Sequence, residues 1–288
     1  MRLLLYGGLG NQLFKLFAAA KLIEDGLASS VNIDVSWYVH KNRELAPNAE
    51  YQLGNIIDGH QFTQTTIKSK TIFNLTNQIR TKLTSSQLKK LRIYSDAGEF
   101  VSPGFHPRAM VGNFENISYF PSKLKMMSLF DKLTEQNSWI LNVQSEIRSR
   151  DPIVLHVRLE DYLKYSDVYG FVDVEYYIKA VSYLLSRNPT SPIWLISDNP
   201  NLAIQRFRGL IDFDFVLEQP VEISPLQFLT AVSSTNKIVI ANSTFSWWAA
   251  WLAHQRNAEV QVIMPSRFHS HECDIDRLYI SGWKRISV

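Results

Sequence analysis

The chain has 288 residues, enough for one large domain or two medium ones. Hydrophobic residues at 45% and charged residues at 20% fall in the ordinary globular range, which excludes a disordered or fibrous protein. A net charge of only +3 argues against a dedicated nucleic-acid binder, and the single cysteine, Cys273, excludes an internal disulfide and fits a reducing compartment.

The N-terminal segment opens with a short apolar run, Arg2 to Tyr6, which predicts a strand. Gly7-Gly8-Leu9-Gly10 is a turn, after which Leu13, Phe14, Phe17, Ala18 and Leu22 recur at helical spacing until Gly26. Val31, Ile33 and Val35 then alternate with Asn32 and Asp34, as in a strand, which completes a βαβ opening. Gly7, Gly8, Gly10, Asn11, Gln12 and Lys15 break up the apolar run that a signal peptide needs. No other stretch approaches the roughly 18–20 apolar residues of a membrane span, so the expectation is a soluble protein.

Gly8 and Gly10 match the first two glycines of a dinucleotide-binding turn, and Asp34 lies near the expected acidic position. Leu13 replaces the third glycine, which weakens a reading as a NAD-dependent oxidoreductase. Asn11 and Gln12 read instead as donors aimed at a ligand or as capping groups.

From Gly59 to Ser95 there is no acidic residue, while Lys68, Lys70, Arg80, Lys82, Lys89, Lys90 and Arg92 are basic. With Ile79, Leu83, Leu88 and Leu91 the segment predicts an amphipathic helix. Its charges serve either as a solvated face or to attract anionic lipid headgroups or an anionic acceptor.

After residue 150 strands and helices alternate. Strands are predicted at Ile153–Leu159, Ile193–Ser197, Asp212–Leu217, Lys237–Ala241 and Val260–Met264. Helices are predicted at Val174–Ser186, Pro225–Val232 and Phe245–His254. Such alternation implies a mostly parallel sheet, which binds ligands at the carboxyl ends of its strands.

Three of those strand ends carry polar residues. His156 and Arg158 are two apart on one face, followed by Glu160 and Asp161; an ion pair or an anion site would both account for the arginine, and an anion site is the favoured reading. Asp198, in Ser197-Asp198-Asn199-Pro200, either receives hydrogen bonds from a base or ribose or caps the following helix. Asn242-Ser243-Thr244 precedes an aromatic-rich helix whose N-terminus suits a phosphate, with Trp247, Trp248 and Trp251 as core. Metal signals are poor: Asp212 and Asp214 read as the polar face of a strand whose phenylalanines are buried, and His269, His271, Glu272 and Cys273 read as surface residues.

Taken together, Gly7-Gly8-Leu9-Gly10-Asn11-Gln12-Leu13-Phe14, His156-Val157-Arg158, Ser197-Asp198 and Asn242 to Leu252 resemble the family 11 glycosyltransferases, the inverting α-1,2-fucosyltransferases. Gly112-Asn113-Phe114, Tyr119-Phe120 and Trp283 also look like family positions. The resemblance implies an α/β, GT-B-like fold with two Rossmann-like domains facing a cleft: residues 1–150 on the acceptor side and 151–288 binding the GDP-sugar. It implies GDP-L-fucose as donor, the 2-hydroxyl of a galactoside as acceptor, and no metal or other cofactor. Arg158 would bind the diphosphate and stabilise departing GDP, with His156 and Asp198 contacting guanine or ribose. Ser243, Thr244 and Phe245 would hold phosphates or ribose, Asn242 would be a further donor-binding residue, Gly10 and Asn11 would reach across from the other half, and Asp161 would be the base.

The chain departs from the family pattern His-x-Arg-Arg-x-Asp at Leu159, and Glu160 stands where glycine is frequent. Strand alternation turns Leu159 away from His156 and Arg158. The altered pair leaves another GDP-linked deoxy-L-sugar, such as colitose, as an alternative donor, and a non-catalytic sugar-nucleotide binder as a further one. The expected setting is the cytoplasm, in surface-polysaccharide (O-antigen) synthesis. The expected acceptor is a galactoside-containing oligosaccharide or lipid-linked glycan, with peripheral contact to the inner face of the cytoplasmic membrane through the basic 64–92 segment.

Overall fold

A computed structural model describes residues 1–40, 49–70, 82–96, 105–160, 172–268 and 275–288. The chain divides into two compact units, Met1–Glu135 and Gln136–Val288. Each is a sheet with flanking helices, and every strand pairing among the described residues is parallel. Two such α/β units make a two-domain, GT-B-like architecture.

The first unit runs β1 (Arg2–Leu4), α1 (Leu9–Glu24), β2 (Val31–Asp34), α2 (Ser36–His40), β3 (Phe62–Thr65), α3 (Ser85–Lys90), β4 (Ile93–Ser95), β5 (Ala109–Val111) and α4 (Lys123–Leu133). The strand order is β3-β2-β1-β5-β4, so successive strands step outward from β1 and then return on its other side. Leu13, Phe14, Phe17 and the small run Ala18 to Ala20 are all buried in α1, which lets the helix lie close to the sheet. The turn into α1 depends on Gly7, whose φ of +86° is costly for any residue with a Cβ. Asp34 is buried and committed: it pairs with Arg2 at 2.6 Å and accepts hydrogen bonds from the Ser36 amide at 3.0 Å and the Ser36 hydroxyl. That commitment leaves the dinucleotide reading without its acidic residue.

The second unit comprises α5 (Ser138–Arg150), β6 (Ile153–Val157), α6 (Val174–Leu185), β7 (Ile193–Ser197), α7 (Pro200–Phe207), β8 (Phe215–Val216), α8 (Pro225–Val232), β9 (Lys237–Val239), α9 (Thr244–Arg256), β10 (Gln261–Pro265) and β11 (Lys284–Ile286). Its sheet order is β11-β10-β9-β6-β7-β8. Every residue of β6 is buried, as a central parallel strand covered on both faces requires. Ile153, Leu155 and Val157 pack with Tyr176, Leu184, Leu195 and Phe207 in one core. α9 is apolar all round its middle, with Ser246 to Ala253 buried, so it sits inside the unit rather than on its surface.

Several boundaries differ from the sequence reading. The strand predicted to reach Leu159 ends at Val157, because the amides of Leu159 and Glu160 leave the ladder for the Asp198 carboxylate. The strand predicted over 212–217 contracts to Phe215–Val216. There Asp214 bonds Ile193 twice, donating its amide to the Ile193 carbonyl at 2.9 Å and accepting the Ile193 amide on its carboxylate at 2.8 Å. Phe215 is 48% exposed on this edge strand and lies against Trp194 at 4.8 Å, so only Phe213 of the two phenylalanines turns to the core. α5 escaped the sequence reading because its buried face is thin: Ile140, Gln144 and Ile147.

Candidate active site

In the second sheet the chain steps from β6 to β7 and β8 on one side, then to β9, β10 and β11 on the other. The order therefore reverses beside β6, and the loops after β6 and β9 part there, which is where parallel sheets open a ligand crevice. The parallel register sets Val157 beside Ser197 and Leu155 beside Val239. His156 and Arg158, Asp198, and the Asn242 to Phe245 stretch consequently share one end of three adjacent strands. The structure brings these residues together; Asp161 lies outside the described residues.

Arg158 and Asp198 form an ion pair, Nε to Oδ2 at 3.3 Å, with the arginine side chain 32% exposed and the aspartate 12%. The same carboxylate accepts the Leu159 amide at 2.9 Å and the Glu160 amide at 3.1 Å. Leu159 is buried in the core, so the position where the family pattern has a second arginine belongs here to packing. Glu160 is exposed.

His156 is buried, and its Nδ1 has no hydrogen-bond partner among the described residues. Burial pushes its pKa down to about 4; the Asp198 charge opposes that shift and the Arg158 charge adds to it. The imidazole is thus neutral near pH 7, with both a donor and an acceptor nitrogen. Its ring lies 5.6 Å from that of Phe245, which stacks at 6.2 Å on Phe228. The Phe245 side chain is therefore part of a wall, and its backbone is what stands at the start of α9.

α9 begins at Thr244, and its first intrahelical bond runs from the Trp247 amide to the Ser243 carbonyl at 3.0 Å. Ser243, the N-cap, makes no side-chain capping bond. The site end of this 13-residue helix carries the positive end of its dipole. Asn242 and Ser243 are buried, and the Asn242 amide donates to the Phe268 carbonyl at 3.4 Å. A guanidinium, a neutral imidazole and a helix N-terminus can together bind an anion and stabilise a leaving group that gains negative charge.

Two supports of this site escaped sequence reasoning. Tyr176, on α6, donates its buried hydroxyl to the Ile240 carbonyl at 2.7 Å and so fixes the chain two residues before Asn242. The Trp247 indole donates to the Leu278 carbonyl at 2.9 Å, anchoring α9 from behind. A tyrosine or tryptophan on a buried helical face is the only sequence signal either leaves.

In the first unit the glycine loop is built more for support than the sequence suggested. Gln12 is fully buried; its amide donates to the carbonyls of Gly7 at 3.1 Å and Glu50 at 2.6 Å, and its oxygen accepts the Gln52 amide at 2.9 Å. Lys15 is also fully buried, donating to the Asn11 carbonyl and Asn113 Oδ1, both at 3.4 Å, with its ammonium 3.9 Å from the Tyr6 ring centre. Gly10 and Asn11 stand in the first turn of α1, beside Gly7.

Among the described residues no group of three or more histidine, cysteine or acidic side chains could hold a metal ion. Asp214 is taken by Ile193, and His269, His271, Glu272 and Cys273 lie outside the described residues. Among the described residues no helix is long and apolar enough to cross a membrane.

The family model of glycosyl transferase family 11 matches residues 7–287. The chain is 27% identical over 276 residues to the O-antigen biosynthesis glycosyltransferase WbnK of Escherichia coli, covering 86% of this chain and 88% of that protein. It is 26% identical over 264 residues to an alpha-1,2-colitosyltransferase of Escherichia coli, covering 86% of each. Among solved structures, the fucosyltransferase NodZ from Bradyrhizobium aligns with a TM-score of 0.47 at 13% identity, over 87% of this chain and 92% of that one.

Proposed function

The chain belongs to glycosyl transferase family 11, and on that premise we propose that it moves L-fucose from GDP-L-fucose to the 2-hydroxyl of a galactoside with inversion and without a metal. The observation that carries this reading is the juxtaposition of Arg158, neutral His156 and the α9 N-terminus at the strand-order reversal of the second sheet. The donor is assigned to the second unit and the acceptor to the first.

Cleavage of the sugar–phosphate bond leaves positive charge on the anomeric carbon and negative charge on GDP. Arg158 and the amides at the start of α9, near Ser243, Thr244 and Phe245, receive that negative charge. His156 and Asn242 contribute hydrogen bonds to the nucleoside side of the donor. Asp161 takes the proton of the acceptor hydroxyl as it attacks. Arg158→Ala on folded protein is expected to lower turnover by about 100-fold or more, and Arg158→Lys to recover only part of it, since a point charge replaces a planar fork. Near-wild-type turnover in Arg158→Ala would refute this role.

The alternative donor is GDP-colitose, favoured by the relative named as a colitosyltransferase and by the Leu159-Glu160 departure. Incubation with each donor and a panel of galactosides, with products read by mass spectrometry, decides between them; no product from any pairing would leave only a sugar-nucleotide binder. The acceptor class is a galactoside-containing oligosaccharide or lipid-linked glycan of an O-antigen pathway, handled in the cytoplasm. Exposed Lys68, Lys70, Lys82, Lys89 and Lys90 supply peripheral contact with an anionic membrane face. Arg92 is tied to the His106 carbonyl at 2.8 Å and contributes less, and Arg80 lies outside the described residues. Sedimentation with phosphatidylserine vesicles, lost at high salt, tests the contact.

A further inference from the structure

We infer that Asp198 is a positioning residue for Arg158, holding the guanidinium and the loop that carries it in a phosphate-ready arrangement; this rests on the reading of Arg158 as the diphosphate ligand. The register of β6 and β7 puts Asp198 directly beside the chain as it leaves the sheet. The amides of Leu159 and Glu160 lose their ladder partners at that point, and a part-buried amide must find another acceptor. Asp198 supplies one oxygen to each, Oδ1 to Leu159 at 2.9 Å and Oδ2 to Glu160 at 3.1 Å. Oδ2 also pairs with Arg158 Nε at 3.3 Å, and Oδ1 accepts from the Ser197 hydroxyl at 3.5 Å.

Among the described residues the four groups that meet this carboxylate are all donors, and three of them belong to consecutive residues 158–160. Asp198 thus ties down the backbone that bears Arg158 and pairs with the Nε of its fork. Plane and position are what bidentate phosphate recognition depends on, and a guanidinium free to rotate would have to be ordered at each binding event. The aspartate is also the less exposed partner, 12% against 32%, as expected of a support set behind the group it orients.

A direct contact of Asp198 with ribose or guanine makes a different prediction from a support of Arg158, and calorimetry with GDP and guanosine separates them. For wild type, GDP should bind far more tightly than guanosine, the difference being the diphosphate contribution. Asp198→Asn should shrink that preference by about tenfold while guanosine affinity stays within about twofold of wild type. In an Arg158→Ala background, Asp198→Asn should then add less than about twofold, because its partner is already gone. Equal losses for GDP and guanosine, or full additivity with Arg158→Ala, would overturn the assignment in favour of a nucleoside contact. If Asp198→Asn does not fold, as judged by thermal melting, Asp198→Glu enters the same cycle, since the added methylene displaces the carboxylate while retaining its charge. A wild-type protein with no preference for GDP over guanosine would instead sink the diphosphate reading itself, before any variant is made.

Discussion

The neutral, buried His156 makes stability depend on pH in a way that can be worked out from one residue. In the unfolded chain an imidazole binds a proton near pH 6.5, whereas in the folded protein burial delays binding to about pH 4. Between those values the unfolded state holds more protons, so stability from this group is complete above about pH 6.5 and is lost as the pH falls toward 4. Integrated from pH 7.5 to pH 5.0, the loss comes to about 2 kcal/mol. Tryptophan fluorescence in urea suits the measurement, because Trp37 alone lies in the first unit, while Trp139, Trp194, Trp247, Trp248, Trp251 and Trp283 lie in the second with His156. His156→Phe cannot titrate, and its stability should fall by about 2 kcal/mol less than that of wild type over the same pH range. Equal losses in the two proteins would show that His156 is not held neutral by its surroundings.

Leu159→Arg, which restores the arginine of the family pattern, should destabilise the second unit more than Leu159→Ala, whose cost is about 2–4 kcal/mol, because the site is core and a charge there has no solvent; an arginine variant as stable as wild type would refute the packing role. Gly112→Ala should lower the calorimetric melting temperature of the first unit by an amount equivalent to about 1–3 kcal/mol, since φ at Gly112 is +150° and a methyl would collide with the Asp96 carboxylate that receives the Asn113 and Phe114 amides. An unchanged melting temperature would contradict that geometry. Gln12→Ala strands the Glu50 carbonyl and the Gln52 amide and leaves the Gly7 carbonyl with the Tyr38 hydroxyl alone, costing about 2–3 kcal/mol of first-unit stability with GDP affinity unchanged; a loss of GDP affinity without a loss of stability would make Gln12 a ligand rather than a strut.

Much of the fold was readable from period and punctuation. The alternation after residue 150 located β6, β7, α8, β9, α9 and β10 to within a few residues, since buried parallel strands announce themselves as short apolar runs. The misplaced ends of β6 and β8 fell where side chains replace backbone pairing. Asp214 substitutes for a ladder partner and cuts β8 short, while Asp198 draws the chain out of β6 after Val157. Neither is a propensity effect, so no window of neighbouring residues could reveal it.

What one dimension carried was the set of reactive residue types and their places at strand ends: His156 with Arg158, Asp198, and the polar run before α9. Strand alternation alone also turned Leu159 away from Arg158, because side chains on an extended chain reverse with every residue. Partnership belonged to three dimensions. That one carboxylate serves Arg158 and two amides, that Gln12 and Lys15 are buried struts, and that Phe245 is walled between His156 and Phe228 all involve residues tens of positions apart. Such contacts exist only once the sheet order and register have set distant strand ends side by side, and a linear pattern contains no measure of that distance.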